Sequence, residues 1–325
     1  MIGRPVRNNR GMALLLTVLV VSLLMVVIME FNRTMRSDLQ SAVNLREGIR
    51  LVYMARSGFN TSLALLYADG LESDHDSLRE VWANLELFSV YGSGFFEQGD
   101  LAMQVEDLSG RLQINALVDD NGTQEELWKN FLLLPEFDLE PGKADEILDA
   151  LKDWLDADDD PGLGVGGAEQ SYYRSLDPPY GCRNGPVEAA EELLLVKGID
   201  RELLYGGDER RGILEYVTAH GTGKINVNTA PAVVLKSLAP GGISQDLVDE
   251  LTAYRENEDN DLSSPSWATS ILTSVPDLPA ALLTTASSHF EIRATAMSAR
   301  VSRSIIAAVR RDKGKKPEIL SWKIE

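Results

Sequence analysis

The stretch Gly11–Met29 contains no charged residue. At ~1.5 Å per residue, about 18 apolar residues come close to the ~30 Å hydrocarbon core of a bilayer. Arg4, Arg7 and Arg10 stand just before it, which predicts a cytoplasmic N-terminus and export of the remainder. A cleaved secretory signal has the same order of charge and apolarity, but it needs a small-x-small site after the apolar run. Here Met29 is followed by Glu30-Phe31-Asn32-Arg33-Thr34-Met35-Arg36, with no such site. The helical pattern also continues. Phe31, Met35, Leu39, Ala42, Val43, Ile49, Val52, Tyr53, Phe59, Leu63 and Leu66 keep an apolar stripe near a 3.6 period, with charged residues between them. No proline interrupts Met12–Tyr67. The sequence therefore predicts one continuous helix, on the order of 80 Å long. Its first half lies in the membrane and its second half is amphipathic.

Beyond this helix, a chain of 325 residues with 44% hydrophobic content has enough length for two further domains. Its net charge of -19 argues against nucleic acid, whose phosphates need a basic face. The single cysteine, Cys182, excludes an internal disulfide and a cysteine-based zinc site. His75, His220 and His289 show no metal-ligand spacing and are expected to be surface or turn residues.

Residues 68–76 read as a polar turn and Ser77–Leu87 as a short helix. A strand comes next, reached from Phe95 through a possible hairpin turn at Gly99-Asp100. In it Leu101, Met103 and Val105 alternate with polar residues. Gly110–Asn115 suggests a second strand. Glu125–Leu134 and Lys143–Leu155 carry apolar residues at helical spacing, separated by Pro135 and Pro141-Gly142. Glu188–Val196 and Gly212–Ala219 read as helical or mixed. Gly110-Arg111-Leu112-Gln113-Ile114-Asn115-Ala116 is echoed by Gly223-Lys224-Ile225-Asn226-Val227-Asn228-Thr229-Ala230, and each copy precedes two helices. Such units resemble helix-hairpin-helix folds, but the acidity favours packing on protein. Residues 289–296 and 300–311 read as adjacent strands, with β-branched content at Ile305-Ile306. The basic run Arg310–Lys316 is expected to be a solvated end.

The sharpest local feature is Asp153-Trp154-Leu155-Asp156-Ala157-Asp158-Asp159-Asp160-Pro161-Gly162. Asp156, Asp158 and Asp160 have the spacing of the first three ligands of an EF-hand loop, but the template's Gly position is Pro161 and its Glu position is Gly167. Crowded carboxylates repel unless something neutralises them, and a hard cation does so well. The reading is a non-EF Ca2+ loop using Asp156, Asp158, Asp160 and Glu169, with Asp153 and Asp159 as lesser candidates. The alternative is a solvated acidic loop. Asn257–Asp261 repeats the pattern weakly, and there the solvated loop is favoured. Nothing places a carboxylate in an apolar pocket that would raise its pKa, and no nucleophile elbow, P-loop or histidine motif is present. No catalytic residue is assigned.

Two patterns carry a resemblance. Arg10-Gly11-Met12 at the head of the apolar run resembles the class III, type IV prepilin signal, in which a peptidase cuts after the Gly. That resemblance implies a mature chain beginning at Met12, with N-terminal methylation. Pilins usually have Glu at the fifth mature position, here Leu16. In that family the carboxylate neutralises a neighbour's terminal amine within the apolar filament core. A subunit lacking it suits a place with no neighbour above. The second pattern is spread along the chain: Gly110–Leu117, Asp153–Asp158, Gly167–Tyr173, Pro178-Pro179-Tyr180, Asn184-Gly185-Pro186, Glu192–Gly198 and Ile225–Pro231. Together these resemble the type II secretion minor pseudopilin K family. The resemblance implies a pilin-like α+β domain interrupted by an α-helical domain, calcium in the loop Asp156–Glu169, and a pseudopilus-tip position with the I and J pseudopilins. It departs at Gln170, where the family often has an acid, and around Cys182.

The expected fold class is therefore α+β: a long N-terminal transmembrane and amphipathic helix packed on a small antiparallel sheet, with a large inserted α-helical domain. The divisions are a leader 1–11, the helix 12–67 with its membrane part 12–29, a first α+β part 68–118, an inserted helical domain 119–222, a second helical unit 223–285 and terminal strands with a basic tail 286–325. The expected role is a non-enzymatic pseudopilus tip subunit in the bacterial inner membrane, C-terminal domain periplasmic. Its partners would be I and J pseudopilins, the major pseudopilin, the inner-membrane secretion platform and the prepilin peptidase. The alternatives are a signal-anchored periplasmic calcium-dependent enzyme and a minor pilin of a type IV pilus.

Overall fold

With no proline to break it, the predicted rod forms without interruption in the computed structural model of the protein. The structure describes residues 10–85, 99–118, 122–162, 164, 166–207 and 210–325. Most of the basic leader, the Phe95–Gln98 approach to the first strand and the boundary residues 119–121 lie outside the described residues. Helix α1 covers Arg10–Glu72, 63 residues, or about 95 Å. Its N-terminal part is long and apolar enough to cross a membrane, and none of it is covered by the rest of the chain. The Thr17 hydroxyl donates to the Leu14 carbonyl at 2.9 Å, so it needs no partner from lipid.

In chain order there come β1 (Asp100–Asp107), β2 (Leu112–Gln113), α2 (Thr123–Leu132), α3 (Pro141–Leu155), α4 (Gln170–Arg174) and α5 (Arg201–Tyr205). Next are β3 (Val217–Thr218), β4 (Ile225–Asn226), α6 (Ala232–Lys236), α7 (Gln245–Glu256), α8 (Ser266–Ile271) and β5 (Leu283–Thr284). The chain ends with β6 (His289–Met297), β7 (Ser302–Arg310), β8 (Glu318–Ile319) and β9 (Lys323–Ile324).

The main sheet is antiparallel, in the order β1-β6-β7-β8, with β9 also on β7. Its register aligns Val105 with Ile292 and Ile292 with Ala307, so apolar side chains of three strands point to one face. The second half of α1 covers that face. Leu51, Met54, Ala55, Phe59 and Leu66 bury against Leu101, Met103, Val105, Phe290, Ile292, Ile305 and Val309. Gly58 permits the close approach, since a Cβ there would stand 3.0 Å from Leu101.

A second and larger core runs from Leu112 to Leu283 and takes in both helical segments, including Trp128, Phe131, Trp154, Tyr173, Val234 and Trp267. The two echoed sequences occupy equivalent places. Each begins with a two-residue strand, β2 or β4, that pairs in parallel with a later one, β3 or β5.

The local readings differ in several places. The described part of Ser77–Leu87 holds a 3-10 turn at Val81–Asn84 in place of a helix. The strand β1 does not pair with its sequence neighbour; its partner is β6, almost two hundred residues on. Gly110–Asn115 yields two strand residues before a 3-10 turn at Ile114–Leu117. Glu188–Val196 is a 3-10 segment, Ala190–Leu195, and Gly212–Ala219 is a 3-10 turn leading into β3. His289 is buried rather than superficial, and burial pushes it down to about 4. The basic tail is not simply solvated. Arg311 is buried, ion-paired to Asp69 at 2.9 Å and to Asp76.

Candidate functional site

The acidic loop joins α3 to α4, and its ends are fixed by the helices. Asp153 lies in the last turn of α3 on the buried side, two residues before the helix stops at Leu155. Asp156 comes next in extended backbone, and Glu169 precedes α4 in extended backbone. Trp154 holds this end of α3 in the core, edge-to-face against Tyr173 of α4 with centroids 4.9 Å apart. The two helix ends are thus brought together by aromatic packing, and their carboxylates come with them.

Asp153, Asp156 and Glu169 each offer an oxygen within 4.8 Å of the others. Asp153 is fully engaged by the loop. Its Oδ1 accepts from Gly162 N at 3.1 Å and its Oδ2 from Ala168 N at 2.7 Å. The loop closes this tightly because Gly167 has no Cβ; one would sit 2.8 Å from Asp153 Oδ2. The glycine that breaks the EF-hand template is therefore what lets the backbone wrap a carboxylate. Glu169 is only 3% exposed, yet neither of its oxygens has a hydrogen-bond partner. Asp156 Oδ1 and Asn184 Oδ1 are buried and unpaired as well.

Burial, then the charges of Asp153 and Asp156, push Glu169 up to about 7. Asp156 is raised too, by burial first and then by Asp158 and Asp153. The sequence alone places no carboxylate in such surroundings. Buried carboxylate oxygens without partners and beside like charges are relieved either by a proton or by a bound cation. The donor set, all hard oxygens, fits Ca2+ better than a softer transition metal.

The sequence-derived residues divide. Asp156 and Glu169 meet, and Asp153, ranked lower from spacing, stands at the centre. Asp158, Asp159 and Asp160 are exposed outside this triad, and Asp158 Oδ1 accepts from Asp160 N at 3.0 Å. The sequence marks Asn184 only as part of the Asn184-Gly185-Pro186 pattern, with no ligand role. Its backbone is left-handed, φ 48°, a conformation that asparagine tolerates, and its Nδ2 donates to the Asp158 carbonyl at 2.6 Å. The weak repeat Asn257–Asp261 is held by a side chain of the protein itself. Arg79 donates to the carbonyls of Tyr254, Arg255 and Asn260, at 3.3, 2.7 and 3.0 Å. In a second carboxylate group, Asp69, Asp76 and Glu80, Arg311 pairs with Asp69 and Asp76, while Glu80 accepts from Ser77 N and Trp82 Nε1. Gly11, Met12 and Leu16 lie exposed at the start of α1.

Two family models, both described as Type II secretion system (T2SS), protein K, match residues 110–206 and residues 225–284 respectively. The type II secretion system protein K of Pseudomonas aeruginosa is 30% identical over 253 residues, 75% of this chain and 72% of that protein. That of Klebsiella pneumoniae is 29% identical over 251 residues, 73% and 72% of the two chains. Among solved structures, a chain of the GspK-GspI-GspJ complex from the enterotoxigenic Escherichia coli type 2 secretion system superposes with a TM-score of 0.64. At 19% identity it covers 87% of this chain and 99% of that one, a likeness of fold. The matched segments take in the acidic loop and the Ile225–Pro231 echo, on a rod, sheet and helical domain of the same architecture. This chain belongs to the type II secretion system protein K family.

Proposed function

We propose that the protein is the minor pseudopilin that starts and caps the type II secretion pseudopilus, and that it does no catalysis. One observation carries this reading: an uncovered apolar rod is joined to a helical domain whose core is larger than that of the sheet it interrupts. The rod suits storage in the bilayer and then packing among the rods of other subunits. The wide helical domain obstructs any subunit stacked above it. Leu16, where pilins carry an acid, agrees, since the first subunit to enter has no neighbour's amine to neutralise. On this reading the inner membrane holds residues 12–29, the C-terminal domain is periplasmic, and prepilin peptidase cuts between Gly11 and Met12. The direct partners are the I- and J-type minor pseudopilins, as in the GspK-GspI-GspJ complex. The major pseudopilin and the secretion platform engage later.

In this scheme Ca2+ is structural. Asp156 and Glu169 would ligate it, Asp153 would shape the loop and add charge, and Asn184 Oδ1 would complete the set, with Asp158 at the lip. The bound cation would supply the charge that four orphaned oxygens lack. Intact mass of the protein purified from membranes tests processing: a mature chain starting at Met12 supports the reading, and an uncleaved chain defeats it. Co-purification with I and J pseudopilins, with and without chelator, tests assembly. A chain that stays alone under both conditions refutes the role.

A further inference from the structure

Apart from Leu108 and Ala308, the buried apolar residues form two separate cores, one around α1 and the main sheet and one within the helical domain. The chain crosses between the two bodies at residues 107–112 and again at 284–289. The segment after α1 touches both. Trp82 packs edge-to-face on Phe290 at 5.3 Å, while Arg79 holds the end of α7. Where two domains share no apolar core, relative motion is the ordinary expectation.

Instead, the junction is filled by buried polar groups that bond across it. Asp107, the last residue of β1, accepts from Asn226 Nδ2 at 3.1 Å, Thr229 Oγ1 at 2.5 Å, Ser287 Oγ at 2.6 Å and Ser109 N at 2.8 Å. Asn226 Nδ2 also lies 3.1 Å from the Asp76 carbonyl and 2.7 Å from Ser287 Oγ. Asn228 donates to the carbonyls of Asp76 and Leu262, at 3.1 and 3.0 Å, and accepts from Trp267 Nε1 at 3.0 Å. Asp76 in turn accepts from Ser287 N at 2.7 Å and pairs with Arg311, which sits 4.6 Å from the centre of the Phe290 ring. Asn226 and Asn228 belong to the helical domain's repeated motif; Asp107, Ser287 and Arg311 belong to the ends of the sheet strands and their linkers.

We propose that this cluster is a clasp that fixes the angle between the helical domain and the sheet, with Asn226 as its positioning residue. Apolar contact is non-directional and tolerates sliding, whereas a satisfied buried hydrogen-bond network admits one geometry. The repeated motif thus has a task in its second copy that it lacks in the first. There, among the described residues, the counterparts of Asn226 and Asn228 bond within the helical domain: Gln113 to Gly223 and Lys224, and Asn115 to Val187 and Ala219. The clasp is a property of the folded chain and does not depend on the role proposed above.

The test uses the full chain in detergent micelles with Cys182→Ser, spin-labelled through Glu250→Cys on α7 and Ser302→Cys on β7, both exposed positions. Pulsed electron resonance gives the distance distribution. The parent should show one narrow distance. Asn226→Ala should at least double its width while the far-ultraviolet dichroism of the helices is kept, and Ser287→Ala should broaden it less. An unchanged width in folded Asn226→Ala overturns the proposal. If Asn226→Ala does not fold, Ser287→Ala decides, and an unchanged width there overturns it equally.

Discussion

Glu169 sits against Asp153 and Asp156 with both oxygens unbonded, so it is comfortable only when it holds a proton or faces a cation. Replacing it with glutamine separates these options. In chelator at pH 8, Glu169→Gln should melt no lower than the parent, because the substitution removes a repelled charge. With calcium at about 100 times its dissociation constant, the parent should gain about 2.7 kcal/mol by linkage. That is a rise of about 5–10 °C for a chain of this size, and the variant should lose most of it. Thermal melts in the two buffers check this, and equal shifts in both proteins would remove Glu169 from the site. Glu80 offers a calcium-independent test. Burial raises it to about 7, against the bonds from Trp82 and Ser77, and Asp69 adds repulsion. The unfolded chain releases this proton near 4.5 and the native chain near 7. The native state therefore binds more protons in that window, and stability falls as pH rises through it. Asp69 and Asp76 are raised as well, so Glu80→Gln should reduce, not abolish, the loss of melting temperature between pH 5 and pH 8.

Helix α1 was legible from its period and its lack of proline because both are local properties. The strand β1 was legible from alternation, and β7 from β-branched content, with β6 read as the strand beside it. Their pairing was not, because the partner of Val105 is Ile292, and no local rule links them. The triad was half legible. Spacing pointed to Asp156 and Glu169 but favoured Asp158 and Asp160, which are exposed, over Asp153, whose place depends on where α3 ends. The tail misled for the same reason as the sheet. A basic run reads as solvated until its acids, Asp69 and Asp76, arrive from more than two hundred residues away. The segment beyond Arg311 is also part of the fold, since β8 and β9 cover β7 and Trp322 packs edge-to-face on Phe59 at 4.8 Å. Trp322→Ala should therefore cost about 1–2 kcal/mol, as for loss of an aromatic pair with some burial, and Trp322→Phe should cost less. Urea unfolding of the two variants measures the difference, and a neutral Trp322→Ala would mean the tail is a passenger.

Charge is unevenly spread over the whole molecule. Residues 119–285 hold 33 acidic and 12 basic side chains, whereas the last forty residues hold 9 basic and 4 acidic. Two copies set side by side through their helical domains would bring like charges within a screening length of about 10 Å at 0.1 M salt. That domain is thus poorly suited to meeting a second copy of itself. The rod is different. Phe31, Met35, Leu39, Val43, Ile49 and Tyr53 line α1 beyond the uncharged run Gly11–Met29 and are all exposed. An apolar stripe of this length on one helix is the usual mark of helix-on-helix association. If the stripe is the joining surface, a charge within it should weaken assembly without weakening the fold. Leu39→Asp with Val43→Asp should leave the melting temperature of the isolated protein within about 2 °C, since substitutions at exposed sites usually change stability by no more than about 0.5 kcal/mol. The same pair should abolish co-purification with the I and J pseudopilins, because two carboxylates would have to be buried without partners. A complex retained at parental yield would put the joining surface on the sheet or the helical domain instead.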